Sequence, residues 1–435
     1  MQTCAQECII NLENGTRNGT GNDTEKRGVN TMIKRKKSIV ALLAAAMMSL
    51  SLVGCSSSSD EGENGEKQLT VWSHLSIQEI EKIEKVAQKW GEENGVKVKV
   101  INDKGEMQAY IQAANSSKGP DIMFGLPHDN LGTFEKAGLL AEVPEGVLNK
   151  EDYASEQLVD SVTLNGKYYG LPISQETTAL FYNKDLVKEV PKTIEEVVKI
   201  GKDKGFLFDV ANFYPAYGFI AANGGYVYKN NNGTLDPTDI GLNNEGAIKG
   251  YQFLQDVVVK DKLVSVDMTG DIASGEFTAG KTAFYISGPW EVQSFKESGV
   301  NFGVAPIPTL NGNPIKSFVG VQTAFVSSKS KNQELAWGLT KYLAENTSDI
   351  LLETGNRIPV LKSVTESEEF AKNDFMLQFA KQAENGEPMP NIPEVQAMWG
   401  PAGENIRLLM TEQLSAKECA KMTVEQIKEG IAQQK

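Results

Sequence analysis

The spacing of apolar and polar residues changes period repeatedly after residue 68. Leu69-Thr70-Val71-Trp72 reads as a strand. From Ile77 onward, Ile80, Ile83, Val86, Ala87 and Trp90 recur at three- and four-residue steps, the stripe of a helix with one buried face. Gly95 ends that helix, and Val96, Val98 and Val100 alternate with lysines as a half-exposed strand. Strand, helix and strand within about 30 residues make a βαβ unit, which implies a parallel sheet covered by helices. Asp121-Ile122-Met123-Phe124, after Gly119-Pro120, is the next short buried strand. Asn165-Gly166, between Val162-Thr163-Leu164 and Lys167-Tyr168-Tyr169, is a two-residue hairpin turn, because both turn residues accept positive φ. Residues 195–201, 244–260 and 335–344 read as helices, and the tail from about 405 to 435 is helical. No repeat of 20–50 residues interrupts this series.

Composition narrows the class. With 435 residues, 40% hydrophobic and 23% charged, the chain is ordinary globular protein, and its length favours two domains or lobes. A net charge of −14 and no long basic run in the body argue against a nucleic-acid partner. The N-terminal part reads as processing signal. Lys34-Arg35-Lys36-Lys37 precedes a short apolar run, residues 39–48, too brief to span a membrane well. It ends in Leu52-Val53-Gly54-Cys55, which resembles the bacterial lipoprotein cleavage box, so Cys55 is expected to carry the lipid. On this reading residues 1–31 are an upstream over-extension of the true start at Met32, residues 32–54 are the signal peptide, and residues 55–68 are the lipidated cysteine with a Ser/Gly/Glu-rich tether. Cys4 and Cys8 then never exist in the cell, and Cys419 is the one cysteine of the body. The expected location is the extracellular face of a membrane.

Little in the chain announces catalysis. The two histidines, His74 and His128, are far from the four-residue spacing of a zinc-protease helix. There is no Gly-x-Ser-x-Gly elbow and no Cys-x-x-Cys, and neither a metal nor another cofactor is expected. Carboxylates abound, which leaves a two-carboxylate glycosidase as an alternative, but no pair stands out. Aromatic residues beside turn residues are more informative. Trp290 follows Gly288-Pro289, Trp399 follows Met389-Pro390-Asn391-Ile392-Pro393, and Asn212-Phe213-Tyr214-Pro215-Ala216-Tyr217 precedes Gly224-Gly225. Aromatic faces with carboxylates, amides and imidazoles at the rim suit a sugar, which has apolar C–H faces and a hydroxyl edge.

Together these segments resemble the carbohydrate-type extracellular solute-binding family, and within it the maltose/maltodextrin-binding proteins. The stretch from Pro172 through Glu176 to Tyr182-Asn183-Lys184-Asp185-Leu186 is similar to the family's signature, a strand crossing between lobes. Gly119-Pro120-Asp121-Ile122, Ala221-Ala222-Asn223-Gly224-Gly225-Tyr226, Gly280-Lys281-Thr282-Ala283-Phe284, Gly288-Pro289-Trp290 and Met389-Pro390-Asn391-Ile392-Pro393 follow in the family's order across residues 69–435. The resemblance implies a two-lobed α/β periplasmic-binding-protein fold, each lobe a sheet flanked by helices. One lobe would hold residues 69–175 and 323–357, the other 176–322 and 358–435, with hinge crossings between them. It implies a monomeric, non-enzymatic receptor that binds maltodextrin or maltose in the cleft and delivers it to the permease subunits of an ABC importer. Position by position, Glu176 matches a carboxylate that accepts from sugar hydroxyls, and Tyr214, Trp290 and Trp399 match the stacking aromatics. Asp129 matches a hydroxyl-binding aspartate, His128 takes a secondary role, and Ser73 and His74 lie where the first strand meets the cleft. Gly125, Asn130, Asn212, Ser76-Ile77-Gln78 and Gly400 depart from the best-known enteric pattern, which implies an altered preference for chain length or end group. A different oligosaccharide remains the alternative ligand within the same class.

Overall fold

The computed structural model describes residues 67–434 except 104, 106, 117, 118 and 232. The expected signal peptide, the Cys55 lipid site, the tether up to residue 66 and the over-extended start lie outside the described residues.

Alternation of the kind found at 69–72 and 96–100 produces the strands Lys67–Ser73 and Val96–Asn102, joined by the helix Ile77–Asn94. These two strands pair in parallel, and Ile122–Pro127 adds to the first on its other side, also in parallel. Here the expected parallel sheet stops. Phe318–Val326 pairs antiparallel with both Ile122–Pro127 and Leu171–Thr177, and at its start runs parallel to Glu387–Pro388. The reason is topological: one strand carries the chain out of this sheet and the other brings it back, so the two run in opposite senses. Helices cover both faces, and the period of two assigns side chains to them. Ile122, Phe124, Ala324 and Val326 enter one apolar cluster while Met123 and Phe325 enter another.

A second, four-stranded sheet has the order Phe302–Ala305, Ala179–Asn183, Phe284–Ser287, Phe206–Leu207. Its core is aromatic, with Phe181 packed against Phe277, Phe295 and Phe379. The helices expected at 195–201, 244–260 and 335–344 are Ile194–Lys204, Glu245–Gln255 continued by a wider turn at Asp256–Lys260, and Gln333–Asn346. The tail divides into Trp399–Met410 and Ala416–Gln433, because Glu412 takes positive φ and Ser415 with Glu418 forms a capping box that starts a new helix. Asn165 and Gly166 both have positive φ, as the hairpin turn requires.

One glycine shapes the end of a strand that feeds the site. Gly125, at φ +90°, has no partner on the facing strand, since Thr323 lies opposite Leu126 and Ala324 opposite Phe124. It is a bulge. A Cβ there would overlap the Leu75 side chain, so both its conformation and its space call for glycine.

Candidate functional site

The strands Lys67–Ser73 and Ile122–Pro127 end on the same side of the first sheet, where open α/β sheets place their ligands. The second of these ends runs into the short turn His128–Asn130, which holds Asp129. The Trp399 indole borders the Asp129 carboxylate and favours its ionised form, and Asn130 Nδ2 donates to its Oδ1 at 3.1 Å. Burial, with Glu176 nearby as a weaker like charge, nevertheless raises Asp129 to about 7.

Glu176 lies on the strand Leu171–Thr177 and is pushed above the usual carboxylate range by burial, opposed chiefly by Arg357. Its Oε1 accepts from Gln322 Nε2 at 3.2 Å and its Oε2 from Arg357 Nη1 at 3.0 Å. Tyr214 sits in the first turn of the helix Phe213–Ala221, whose N-cap Asn212 accepts from the Tyr214 N–H. Its hydroxyl donates to the Phe318 carbonyl and is held far above its normal pKa by burial, then by Glu176 and Asp129. The same two carboxylates thus act on Tyr214, and Trp399 borders one of them. Behind the aromatics stands Phe318, 5.8 Å from Trp399 and 6.0 Å from Tyr214 between ring centres and stacked on Tyr217 at 3.8 Å.

Trp290 extends this group. It is 49% exposed and lines, with Tyr214, Asn212, Asp209, Ser287 and Glu291, a cavity of about 370 Å³. Gly288 is required beneath it, since a Cβ at that position would strike the indole ring. Glu291 accepts from Ser274, Tyr285 and Ser287, so the polar floor is already ordered. A larger space of about 600 Å³, beside Lys184, Lys296 and Phe375, contains none of these residues.

Three expected positions lie differently. His128 is fully buried: its Nδ1 accepts from the Val321 N–H at 3.1 Å, so its Nε2 carries the proton and donates to the Met389 carbonyl at 2.8 Å. Both ring nitrogens are spent on backbone, and desolvation lowers the pKa to about 4. Ser73 is also buried, its carbonyl accepting from Asp103 N–H, and His74 is exposed with Nδ1 bonded to the Asp103 carbonyl. The structure therefore brings together Glu176, Asp129, Tyr214 and Trp399, with Trp290 across a shared cavity, and ties Ser73 and His74 to the neighbouring loop. Sequence reasoning missed Arg357, Glu79, Gln322 and Glu291, although Ser76 and Glu79 at capping-box spacing were a visible signal.

Residues 85–377 match the model of the bacterial extracellular solute-binding protein family. The chain belongs to that family. A galactooligosaccharide-binding protein of Bacillus subtilis is 35% identical over 91% of this chain and 97% of its own length. A maltooligosaccharide ABC transporter solute-binding lipoprotein of Streptococcus pneumoniae is 34% identical over 92% and 98%. Among solved structures, the maltose-maltodextrin binding protein of Alicyclobacillus acidocaldarius aligns with a TM-score of 0.79 and 38% identity, covering 83% of this chain and 100% of that one. A cyclo/maltodextrin-binding protein complexed with maltotetraose aligns at 0.76 and 31%, covering 84% and 97%. The solute-binding family read from the motifs is borne out, as is the two-lobed α/β fold with each sheet flanked by helices. This solute-binding protein comes from a family of solute-binding receptors.

Proposed function

We propose that the protein is a lipid-anchored extracellular receptor that binds α-glucan oligosaccharides, maltodextrins above maltose, and delivers them to an ABC importer. The observation that carries this reading is the grouping of Tyr214, Trp399 and Trp290 with the carboxylates of Glu176 and Asp129. Aromatic faces provide area for the apolar side of glucosyl rings, and a carboxylate with spare lone pairs takes the hydroxyl hydrogens. The names of the maltooligosaccharide and maltodextrin relatives favour the α-linked ligand. In this reading His128 supports the cleft from behind, while Ser73 and His74, bonded to Asp103, brace the end of the first strand beside it. The lobes hold residues 69–175 with 323–357 and 176–322 with 358–435, and close as rigid bodies about their crossings, so that the permease meets the loaded form. The protein acts as a monomer, is anchored through Cys55 and catalyses nothing.

A second reading rests on the Bacillus subtilis galactooligosaccharide-binding relative and on Gly125, Asn130 and Asn212, which stand where the enteric pattern has a tryptophan, an arginine and a carboxylate. Tryptophan fluorescence, titrated with maltose, maltotriose, longer maltodextrins, galactobiose, cellobiose and xylotriose, separates the two. A saturable change with the α-glucans alone is expected. Saturation by galactobiose alone would transfer the protein to the second reading, and release of shorter sugars during incubation would make it an enzyme. Trp290→Ala and Trp399→Ala are each expected to weaken binding several-fold with the circular dichroism unchanged; wild-type affinity in both would remove the stacking assignment.

A further inference from the structure

Glu176 does not meet the cleft alone. Behind it Glu79, only 1% exposed in its side chain, accepts from the Arg357 guanidinium twice: Nε to Oε1 at 2.7 Å and Nη2 to Oε2 at 3.3 Å. Oε2 of Glu79 also receives the Ser76 N–H at 2.9 Å and the Ser76 hydroxyl at 2.7 Å, the capping box that starts the helix Ile77–Asn94. Glu79 is therefore fixed from both sides. Its two-point hold orients the planar guanidinium, and the one remaining terminal nitrogen, Nη1, points at Glu176. Arg357 is next to Ile358, which exchanges both backbone hydrogen bonds with Gln175, at 2.9 and 3.0 Å. The residues flanking that bridge, Arg357 and Glu176, are thus locked in register as well as by charge.

We propose that Arg357 is a positioning residue of the cleft, which uses the buried Glu79 as its anchor to hold Glu176 ionised and in one orientation for accepting hydrogen bonds from the ligand. The proposal rests on the sugar-receptor reading above and names a part that reading does not contain. Each Glu176 oxygen gives one lone pair to the protein, one to Arg357 and one to Gln322, and keeps another for a hydroxyl. The side chain is 19% exposed, enough for a ligand to reach. The charged and titratable groups facing it are Arg357 from the crossing segment, Glu79 from the helix Ile77–Asn94, Asp129 from the turn after the third strand, and Tyr214 from the facing helix. Of these only Arg357 is positive. Two carboxylates share one guanidinium, and without it burial and like charge act together to protonate Glu176. A protonated carboxyl loses acceptor capacity on one oxygen.

The test is calorimetric titration of the full chain with maltotriose from about pH 5.5 to about pH 8.5, for the wild type, Arg357→Met, Arg357→Lys and Trp290→Ala. Arg357→Met is expected to bind about tenfold more weakly at the acid end, the order of a lost charge-assisted hydrogen bond, and to recover as pH rises and Glu176 ionises. Arg357→Lys keeps the charge but not the fork, so its affinity falls while the shape of its pH profile, including the titration of Asp129 near about 7, stays that of the wild type. Trp290→Ala weakens binding equally at every pH. Wild-type affinity in Arg357→Met, or a loss independent of pH that follows only a lower melting temperature, would overturn the proposal. If Arg357→Met does not fold, wild-type affinity in Arg357→Lys overturns it. If maltotriose does not bind the wild type at all, the sugar reading fails, and the clamp is decided on the ligand-free protein. There, carboxyl-carbon NMR, assigned by Glu176→Gln, should find the Glu176 midpoint higher in Arg357→Met, or in Arg357→Lys if the first variant does not fold. An unmoved midpoint would end the proposal.

Discussion

His128 and Asp129 are neighbours in sequence, both buried, and pushed in directions that oppose each other in acid. The histidine is lowered from 6.5 to about 4, so between those values the unfolded chain binds the extra proton and stability rises with pH. The aspartate is raised from 3.8 to about 7, so across that interval the folded protein binds the extra proton and stability falls as pH rises. Each contribution is on the order of 3 kcal/mol, and they largely cancel in the wild type between about pH 4 and about pH 6.5. Single substitutions should uncover them. In urea unfolding, Asp129→Asn is expected to leave stability climbing with pH over that window, and His128→Gln to leave it declining. Parallel slopes in the two variants would refute the assignment. None of this was legible in the sequence, because the partners of His128 are the Val321 N–H and the Met389 carbonyl, and backbone groups leave no trace in residue type.

Among the elements, those whose causes are local were readable. The stripe from Ile80 to Trp90, the alternating valines and the Asn165-Gly166 turn all appear as expected, since each depends on neighbours within a few positions. The aromatic positions Tyr214, Trp290 and Trp399 also stood out, because each follows a residue that caps or turns the chain. What escaped is the joining of Glu79, Glu176 and Arg357 from three distant parts of the chain, and the reversal of direction by Phe318–Val326. Long-range pairing is set by topology and carries no local period. The Gly125 bulge illustrates the same limit: the residue is visible, but its purpose is fixed by Leu75 fifty positions earlier. Gly125→Ala should cost about 1–3 kcal/mol through strained φ and overlap, and should loosen the turn bearing Asp129. Thermal unfolding with and without maltotriose checks both; an unchanged melting temperature would mean that the bulge relaxes freely. Gly288→Ala is expected to keep the fold yet displace Trp290, reducing affinity towards that of Trp290→Ala.

For the whole molecule, the apolar clusters describe how the chain is divided. Two clusters sandwich the first sheet, while one large cluster gathers the second sheet, the C-terminal helices and the segments around Phe318 and Ile358. If the lobes close on the ligand as proposed, small-angle scattering should record a smaller radius of gyration with saturating maltodextrin. An unchanged radius would exclude closure. Cys419 offers an independent probe. It is buried, its Sγ donates to the Asn405 carbonyl at 3.4 Å, and burial pushes the thiol up to about 12. Its labelling by a thiol reagent should therefore track global unfolding; rapid labelling of the native protein would show that the helices Trp399–Met410 and Ala416–Gln433 open separately.

The strand Phe318–Val326 has a consequence in time rather than in space. It is an interior strand of the first sheet, yet nearly two hundred residues separate it from its partner Ile122–Pro127. The sheet that begins forming at Lys67 therefore cannot close until three quarters of the chain has been made, and Glu387–Pro388, still later, completes its edge. Early segments stay unfinished while synthesis proceeds, and pairing over such separations is slow. If the chain is exported as proposed, that delay is useful: a chain that cannot complete its first sheet early remains threadable while it is carried across a membrane.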